Sequence, residues 1–147
     1  MKDKYDVLKL GNQLCFPLYV CSKEIVKRYK PFLDEIDLTY TQYITMMVLW
    51  EHKEMNVKEL GKYLFLDSGT LTPVLKKLEI KGYISRKRNE QDERVLDVMI
   101  TESGEKLKEK AVSVPANIGR CVPLDQEDAR KLFEIMHKML DSFSEEQ

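Results

Sequence analysis

The stretch from residue 55 to residue 100 constrains the fold most, because two short helical patterns are followed there by a strand pattern. The segment MNVKELGKYLFL has apolar residues at helical spacing, and Asn56 with Glu59 three residues later can cap its first turn. A second helical pattern ends at Gly82, the residue type that most readily adopts the left-handed conformation after a helix. The alternating run VLDVMI then predicts a strand, with the polar KRNEQDER as a hairpin tip. This order of elements predicts a winged helix-turn-helix.

The second helix of this unit has two chemically different faces. One face is apolar, whereas the other carries small hydroxyl groups followed by lysines. Pro73 fits an α-helix best in its first turn, so we expect the regular helix to begin near Gly69 or Thr70. The predicted inward residues are Leu71, Val74, Leu75 and Leu78, and the predicted outward residues are Thr70, Thr72, Pro73, Lys76 and Lys77.

Further helices are expected on both sides of this unit. Residues 5–29 have mostly helical spacing, and Pro17 should kink or divide that helix. Thr39 with Gln42 predicts the capping box of a buried central helix. Beyond the hairpin, one helix should begin after Thr101 and the last at Asp125.

We therefore predict a mainly α fold with a small β wing, arranged as one domain over residues 1–147. Residues 37–100 would form the winged helix-turn-helix, and residues 1–36 and 101–147 a helical dimerisation region. The first and last helices carry more apolar surface than a monomer of this size readily hides, which favours a twofold homodimer.

Composition argues against several other classes of protein. Charged residues of both signs make up 33% of the chain, and no apolar run approaches the roughly 18 residues of a membrane span. The polar N-terminus is unlike a secretory signal, so we expect a cytoplasmic protein with no membrane partner. The three cysteines form no C-x-x-C pair and the two histidines lie far apart, so we expect no disulfide framework, no metal site and no cofactor.

The charge of the chain is unevenly distributed, although its net value is only −1. Residues 68–94 contain seven Lys or Arg and four acidic residues, whereas residues 121–147 contain three and seven. Hydroxyl side chains can approach the major groove closely, lysines can neutralise phosphates, and Arg94 at the hairpin tip can reach the minor groove. We predict a dimer that binds pseudo-palindromic double-stranded DNA with half-sites ~34 Å or a small multiple apart. The alternative is a solvated, charged helical hairpin.

The motifs LDSGTLTP and DER, within a winged helix flanked by helical ends, resemble those of the multiple-antibiotic-resistance regulator (MarR) family. NQLCFPLY, KRYKPFL and DLTYTQY resemble more narrowly its organic-hydroperoxide repressor branch. The similarity covers nearly the whole chain and weakens after about Pro115. It implies a transcriptional regulator that is a repressor and not an enzyme, and that leaves its operator when an organic hydroperoxide oxidises a cysteine. The predicted DNA-binding residues are Ser68, Gly69, Thr70, Thr72, Pro73, Lys76, Lys77, Arg86, Arg88, Asp92 and Arg94.

The resemblance implies that Cys15 is the redox sensor, hydrogen-bonded by Tyr29 and Tyr40 and also by Tyr19. The chemistry agrees, because a thiolate is the form that attacks a peroxide and tyrosine hydroxyls can donate hydrogen bonds to sulfur. An apolar pocket would suit alkyl hydroperoxides. Its predicted residues are Leu14, Phe16, Leu18 and Phe32. The alternative is that Cys15 packs as a small hydrophobic residue.

A sulfenic acid on Cys15 needs a second thiol to become a lasting disulfide. Cys21 would lie about 9 Å farther along an intact helix, too far for a disulfide unless Pro17 breaks that helix. The resemblance places Cys121 where two-cysteine members carry a resolving residue that bridges to the sensor of the other subunit. The alternative is that Cys121 is incidental and a low-molecular-weight thiol caps Cys15.

Two other classes of function stay open. One is a regulator of the same fold with a broader thiol-based redox or virulence role, or one that responds to a phenolic ligand. The thiol motif disfavours a purely ligand-driven regulator. The other is a thiol peroxidase that uses Cys15, against which the basic recognition segment argues.

Overall fold

Residues 3–147, the part of the chain that the computed structural model describes, form seven α-helices and three β-strands, preceded by two short 3-10 turns. The helices are α1 Cys15–Asp34, α2 Tyr40–His52, α3 Val57–Leu64, α4 Ser68–Ile80, α5 Glu102–Ala111, α6 Val114–Gly119 and α7 Gln126–Glu145. The strands are β1 Glu54–Asn56, β2 Ile84–Arg88 and β3 Leu96–Ile100. The predicted mainly α fold with a small β wing is confirmed.

Helix α2 is the buried centre of the fold, as its nearly continuous apolar surface predicts. The predicted capping box is present, because the Gln42 N–H donates to Thr39 Oγ1 at 3.3 Å and the Thr39 N–H donates to Gln42 Oε1 at 3.1 Å. Near its other end, the buried Trp50 Nε1–H donates to the Gly104 carbonyl at 2.9 Å. Helix α2 is thereby capped at its first turn and joined to α5 near its other end.

The two helices of the helix-turn-helix begin at side-chain caps. Asn56 accepts the Glu59 N–H at 2.8 Å, which confirms the first predicted cap. Asp67, which the sequence analysis did not identify as a cap, accepts the Thr70 N–H at 2.7 Å. Helix α4 therefore starts at Ser68, and the expectation that Pro73 lies in the first turn is wrong. Pro73 lies in the second turn, where it removes one backbone donor.

The C-terminal end of α4 is closed by a backbone motif around Gly82. Gly82 has φ 79°, in the left-handed region, as predicted. Its N–H donates to the Glu79 carbonyl at 2.9 Å, and the Tyr83 N–H donates to the Leu78 carbonyl at 3.1 Å. This pair of bonds is a Schellman motif, which stops α4 and directs the chain into the wing.

The wing is part of a three-stranded antiparallel sheet in the order β1-β3-β2. The predicted hairpin of β2 and β3 is present, whereas β1 was not predicted because three residues are too few to show a period. Val98 in β3 is fully buried. Asp97 is also buried and accepts a hydrogen bond from Asn89 Nδ2 at 2.8 Å, which fastens the base of the hairpin tip.

Helix α5 approaches the wing closely at Gly104. Thr101 caps this helix as predicted, because its Oγ1 accepts the Gly104 N–H at 3.1 Å. A Cβ on Gly104 would lie 2.2 Å from the Tyr83 carbonyl oxygen and 2.8 Å from Ile100 Cγ1. Only glycine leaves room for this contact, so α5 is held at a fixed distance from β2 and β3.

The two ends of the chain are packed far less completely than its centre. The expectation that Pro17 kinks or divides the first helix is wrong, because α1 begins at Cys15 and Pro17 lies in its first turn, where its missing N–H costs nothing. Helix α7 starts after the predicted cap Asp125, and all 20 of its residues are at least partly exposed. Within residues 3–147, every helix is too short or too polar to traverse a bilayer.

Candidate nucleic-acid interface and redox sensor

The two faces of α4 are divided as the sequence predicts. All four predicted inward residues are buried, at 8% exposure or less. The outward residues form one continuous polar and basic surface. The exposed residues are Ser68, Gly69, Thr70, Thr72, Pro73, Lys76 and Lys77. Three hydroxyl groups at the start of the helix with two lysines farther along can contact base edges and phosphates in one groove.

Arg94 at the tip of the wing is exposed and held by Asp92. Arg94 Nε donates to Asp92 Oδ1 at 3.1 Å and Nη2 donates to Oδ2 at 3.3 Å. The side-chain hydrogen bond from Arg94 lowers the pKa of the Asp92 carboxyl. The guanidinium is thus oriented before any contact with DNA, which suits insertion into a narrow minor groove.

Arg86 differs from the other predicted DNA-binding arginines, because it is hydrogen-bonded to Glu79 on α4. Its backbone N–H donates to Glu79 Oε2 at 3.0 Å, and Nη2 donates to Glu79 Oε1 at 3.1 Å. The hydrogen bond from the Arg86 side chain lowers the pKa of the Glu79 carboxyl. Arg86 therefore joins β2 to α4, whereas Arg88, two residues farther along the strand, is exposed.

Cys15 is the first residue of α1 and is exposed. The apolar side chains around it in sequence are exposed as well. They are Leu14, Phe16 and Leu18. Tyr19, one helical turn from Cys15, is 60% exposed, and the Lys23 ammonium lies 4.9 Å from its ring centroid. The thiol thus lies on an open apolar surface, and it is not packed in the core of its own chain.

Tyr29 and Tyr40 form a pair at the other end of α1, with ring centroids 4.9 Å apart. Tyr43 joins them, with its ring centroid 5.9 Å from that of Tyr29. Burial raises the pKa of all three hydroxyls, and for Tyr29 the neighbouring Tyr40 and Tyr43 raise it further. The hydroxyls are therefore protonated donors at neutral pH. Tyr43 was missed, although its spacing of three residues from Tyr40 on α2 placed it on the same face.

Distance separates the two halves of the predicted sensor within one chain. Cys15 and Tyr29 are fourteen residues apart on α1, which corresponds to about 21 Å along the helix. Phe32, predicted to share the pocket with Phe16, packs instead against the core near the tyrosines. Within one chain, Cys15 is therefore too far along the unbroken helix α1 to contact Tyr29 and Tyr40.

All three cysteines among residues 3–147 are free thiols. Cys21 is exposed on the uninterrupted helix α1, so a disulfide with Cys15 of the same chain would need the helix to unfold. Cys121 is half-buried in the segment between α6 and α7, close to Pro123. Its place outside regular structure suits a residue that must move to react.

Comparison with known proteins decides the family. The chain is 47% identical over 142 residues, 97% of either sequence, to the organic hydroperoxide resistance transcriptional regulator of Bacillus subtilis (strain 168). The chain belongs to the MarR family, in its organic-hydroperoxide repressor branch. The family model for the transcriptional regulators SarA/Rot also matches this regulator over residues 27–111. The regulator SarZ of Staphylococcus haemolyticus (strain JCSC1435) is 41% identical over 97% of this chain and 94% of SarZ.

Solved structures of the regulator AbfR provide a comparison between redox states. Reduced AbfR bound to DNA matches this regulator with a TM-score of 0.75 and 34% identity, over 95% of this chain and 97% of that one. Disulfide-formed AbfR matches with a lower TM-score of 0.65 and 33% identity, over 95% and 96%. Overoxidised AbfR bound to DNA also matches with a TM-score of 0.75, at 33% identity over 96% of this chain and 99% of that one. The conformation described above is therefore more similar to DNA-bound AbfR, reduced or overoxidised, than to disulfide-formed AbfR.

Proposed function

We propose that this regulator is a homodimeric repressor that binds a pseudo-palindromic DNA site when reduced and releases it when an organic hydroperoxide oxidises Cys15. One observation carries the proposal: the exposed thiol of Cys15 and the half-buried tyrosine pair lie at opposite ends of α1, about 21 Å apart along the helix. Antiparallel association of two copies would bring Cys15 of one copy to Tyr29 and Tyr40 of the other.

The dimer itself is supported by apolar surface at the chain ends. Helix α7 has an exposed apolar stripe, and the start of α1 adds a second one. The α7 stripe consists of Phe133, Met136, Met139, Leu140 and Phe143. Two copies that pack these faces together would bury a surface that one chain leaves in water, and would place two α4 helices on one side of the assembly.

The chemistry at Cys15 requires only the thiol, the peroxide and a second thiol. The thiolate sulfur attacks the outer peroxide oxygen, the O–O bond breaks, and the alkoxide leaves as an alcohol after it takes a proton. The sulfur is thereby oxidised to a sulfenic acid. A second thiol then attacks this sulfur, forms a disulfide and releases water. Cys121 of the other copy or a low-molecular-weight thiol can supply that second sulfur.

Release of DNA follows from a change in the spacing of the two α4 helices. Oxidation at Cys15 would displace the tyrosine pair, which packs on the core between α1 and α2. Since the affinity sums contacts to two half-sites, misplacing one recognition helix weakens the whole complex. The disulfide form of AbfR, with its lower similarity to this conformation, supports disulfide formation as the step that moves the fold.

The deciding experiment is a gel shift on a DNA fragment selected from a random pool by the reduced protein. Cumene hydroperoxide should abolish binding by the wild type and leave Cys15→Ser bound. Cys21→Ser is the matched control, because it makes the same change on the same helix, and it should behave as wild type. Equal affinity of the oxidised and reduced wild type would overturn the proposal.

The identity of the second thiol can be determined on a non-reducing gel. A covalent dimer that forms in peroxide-treated wild type but not in Cys121→Ser identifies Cys121 as the resolving residue. A monomer that carries a small-thiol adduct on Cys15, detected by mass spectrometry, identifies the one-cysteine mode.

The exposure of Cys15 favours a broader thiol-based regulator as the second candidate, because an open thiol is accessible to many oxidants. The two are separated by comparing how fast cumene hydroperoxide and hydrogen peroxide release DNA at equal concentrations. Equal rates indicate general redox sensing. Faster release by the organic peroxide indicates that the apolar side chains beside Cys15 select the oxidant.

A further inference from the structure

Lys81, the residue that follows α4, connects the recognition helix to the turn between α1 and α2. Its ammonium donates to the Asp37 backbone carbonyl, lies 3.3 Å from Asp37 Oδ2, and lies 3.3 Å from Gln42 Oε1. Two oxygens of Asp37 in the turn and one of Gln42 in the first turn of α2 thus surround one cation, and each can take one of its three protons. Asp37 has φ 52°, so this turn has a defined left-handed conformation.

The Gln42 oxygen that Lys81 contacts accepts a second hydrogen bond. Gln42 is only 3% exposed, and the same Oε1 accepts the Thr39 N–H of the capping box at 3.1 Å. Tyr40, the first residue of α2, lies between these two capping residues, and its ring packs at a tilt of 57° against that of Tyr29. A displacement of Tyr40 therefore acts on the turn that carries the Lys81 contacts.

Other contacts between α2 and α4 are apolar, and they constrain direction less. Helices α2 and α4 pack through the common hydrophobic core, and packed helices can slide past each other by small amounts. The Lys81 contacts are directional, because the ammonium donates to fixed oxygens. The Lys81 side chain is 26% exposed, whereas its one charged partner, the Asp37 carboxylate, is 84% exposed. The Lys81 contacts fasten the C-terminal end of α4 to one point at the start of α2.

We propose that Lys81 is a positioning residue that transmits the state of the tyrosine pair to the recognition helix. Movement of Tyr40 displaces the Asp37 turn and the first turn of α2, and Lys81 carries that displacement to the end of α4. The proposal rests on the redox-dependent release described above, and it adds the route by which the sensor acts on DNA binding.

Lys81→Met tests the link, because methionine keeps an unbranched apolar stem and removes the charge and the donors. Affinity for the selected DNA fragment is measured by fluorescence anisotropy before and after cumene hydroperoxide. We expect the reduced variant to bind within about threefold of wild type, and the ratio of oxidised to reduced Kd to fall at least about tenfold. Lys81→Arg should restore most of the response.

Lys77→Met is the charge-matched control on the same helix. Removal of a predicted phosphate contact should weaken both redox states by the same factor and leave the ratio unchanged. Mass spectrometry should show that Cys15 is oxidised to the same yield in all variants. If Lys81→Met fails to fold, as judged by fluorescence of the single, buried Trp50, Lys81→Gln takes its place.

The outcomes separate the two proposals. A wild type that stays bound after oxidation overturns the redox function itself. A wild type that releases DNA, with a Lys81→Met variant that releases it equally, overturns the link alone. A variant that loses affinity in its reduced state down to the oxidised level overturns the link as well, because Lys81 would then serve DNA binding and not its regulation.

Discussion

Two parts of the molecule differ in how much of their apolar surface they bury. One is the DNA-reading region, residues 40–111, and the other is the chain ends, which are α7 and the first half of α1. The DNA-reading region buries most of its apolar residues within one chain, around α2 and Val98, although single side chains such as Ile80 are exposed. The chain ends leave theirs exposed, Phe133 at 58% and Leu14 at 79%. The predicted sensor thiol, Cys15, lies in the chain ends, and the predicted DNA-binding residues lie in the DNA-reading region. Regulation is therefore suited to act through assembly, while the DNA-reading region stays folded.

The largest effect is expected from Met136→Gln combined with Leu140→Gln, which removes two apolar side chains from the α7 stripe. The protein should sediment as a monomer at micromolar concentration, and DNA affinity should fall about 100-fold, or ~2.7 kcal/mol. Glu134→Gln with Lys138→Gln, on the opposite face and equally neutral in net charge, should remain dimeric. Unchanged Trp50 fluorescence in both variants would show that the DNA-reading region is folded. If the protein stays dimeric with both stripe residues replaced, the apolar surface of α7 is not what holds the dimer together.

The next largest effect should come from Gly104→Ala inside the DNA-reading region. The added Cβ would meet the Tyr83 carbonyl oxygen at 2.2 Å, so the backbone must shift, at a cost of about 2 kcal/mol of unfolding free energy. Urea unfolding followed by Trp50 fluorescence measures it. Gly119→Ala, with no atom within 4 Å of its Cβ, should be nearly neutral. Equal urea midpoints for Gly104→Ala and Gly119→Ala would show that the close approach of Gly104 to Tyr83 does not constrain the fold.

Glu79→Gln should change specific and non-specific DNA binding in opposite directions. Loss of the clamp, which is the pair of hydrogen bonds from Arg86 to Glu79, would misplace the wing. Affinity for the selected site should fall about tenfold, or ~1.4 kcal/mol. Removal of a negative charge should raise affinity for random DNA. Glu90→Gln, the same charge change on an exposed wing residue, should raise both affinities slightly. If Glu79→Gln raises both as well, the clamp does not position the wing.

The smallest effect compares two helix caps with equivalent hydrogen bonds. Asp67→Ala removes the cap of α4 and should lower the unfolding free energy of the DNA-reading region by ~1 kcal/mol. Asp125→Ala removes the cap of α7, and the Trp50 unfolding transition of a monomeric background should barely move. Equal shifts would mean that α7 and the DNA-reading region unfold together.

Local signals in the sequence were sufficient for most of the DNA-reading region. The caps at Thr39, Asn56 and Thr101 and the left-handed Gly82 each depend on a few adjacent residues, so they could be predicted. Strand β1 could not, because it becomes a strand only through pairing of Glu54 with Met99 in β3. Pro73 was placed one turn too early because Asp67 was not considered as a cap.

The candidate site was predicted as a set of residues, while its arrangement was not. The outward residues of α4 follow from helical spacing. The clamp between Glu79 and Arg86 joins a helix to a strand, which no periodicity reveals. The resemblance grouped Cys15 with Tyr29, but it gave no distance, and only the unbroken length of α1 shows that one chain cannot bring them together.

The central place of β3 in its sheet has a practical consequence for engineering. Because β1 and β2 both pair with this strand, the hairpin is anchored at its base, and residues 89–95 extend beyond the paired register. Tips of other lengths and compositions can be grafted between Asn89 and Val95, which keeps the hydrogen bond from Asn89 to the buried Asp97. Such chimaeras would let operator preference be altered independently of the thiol chemistry.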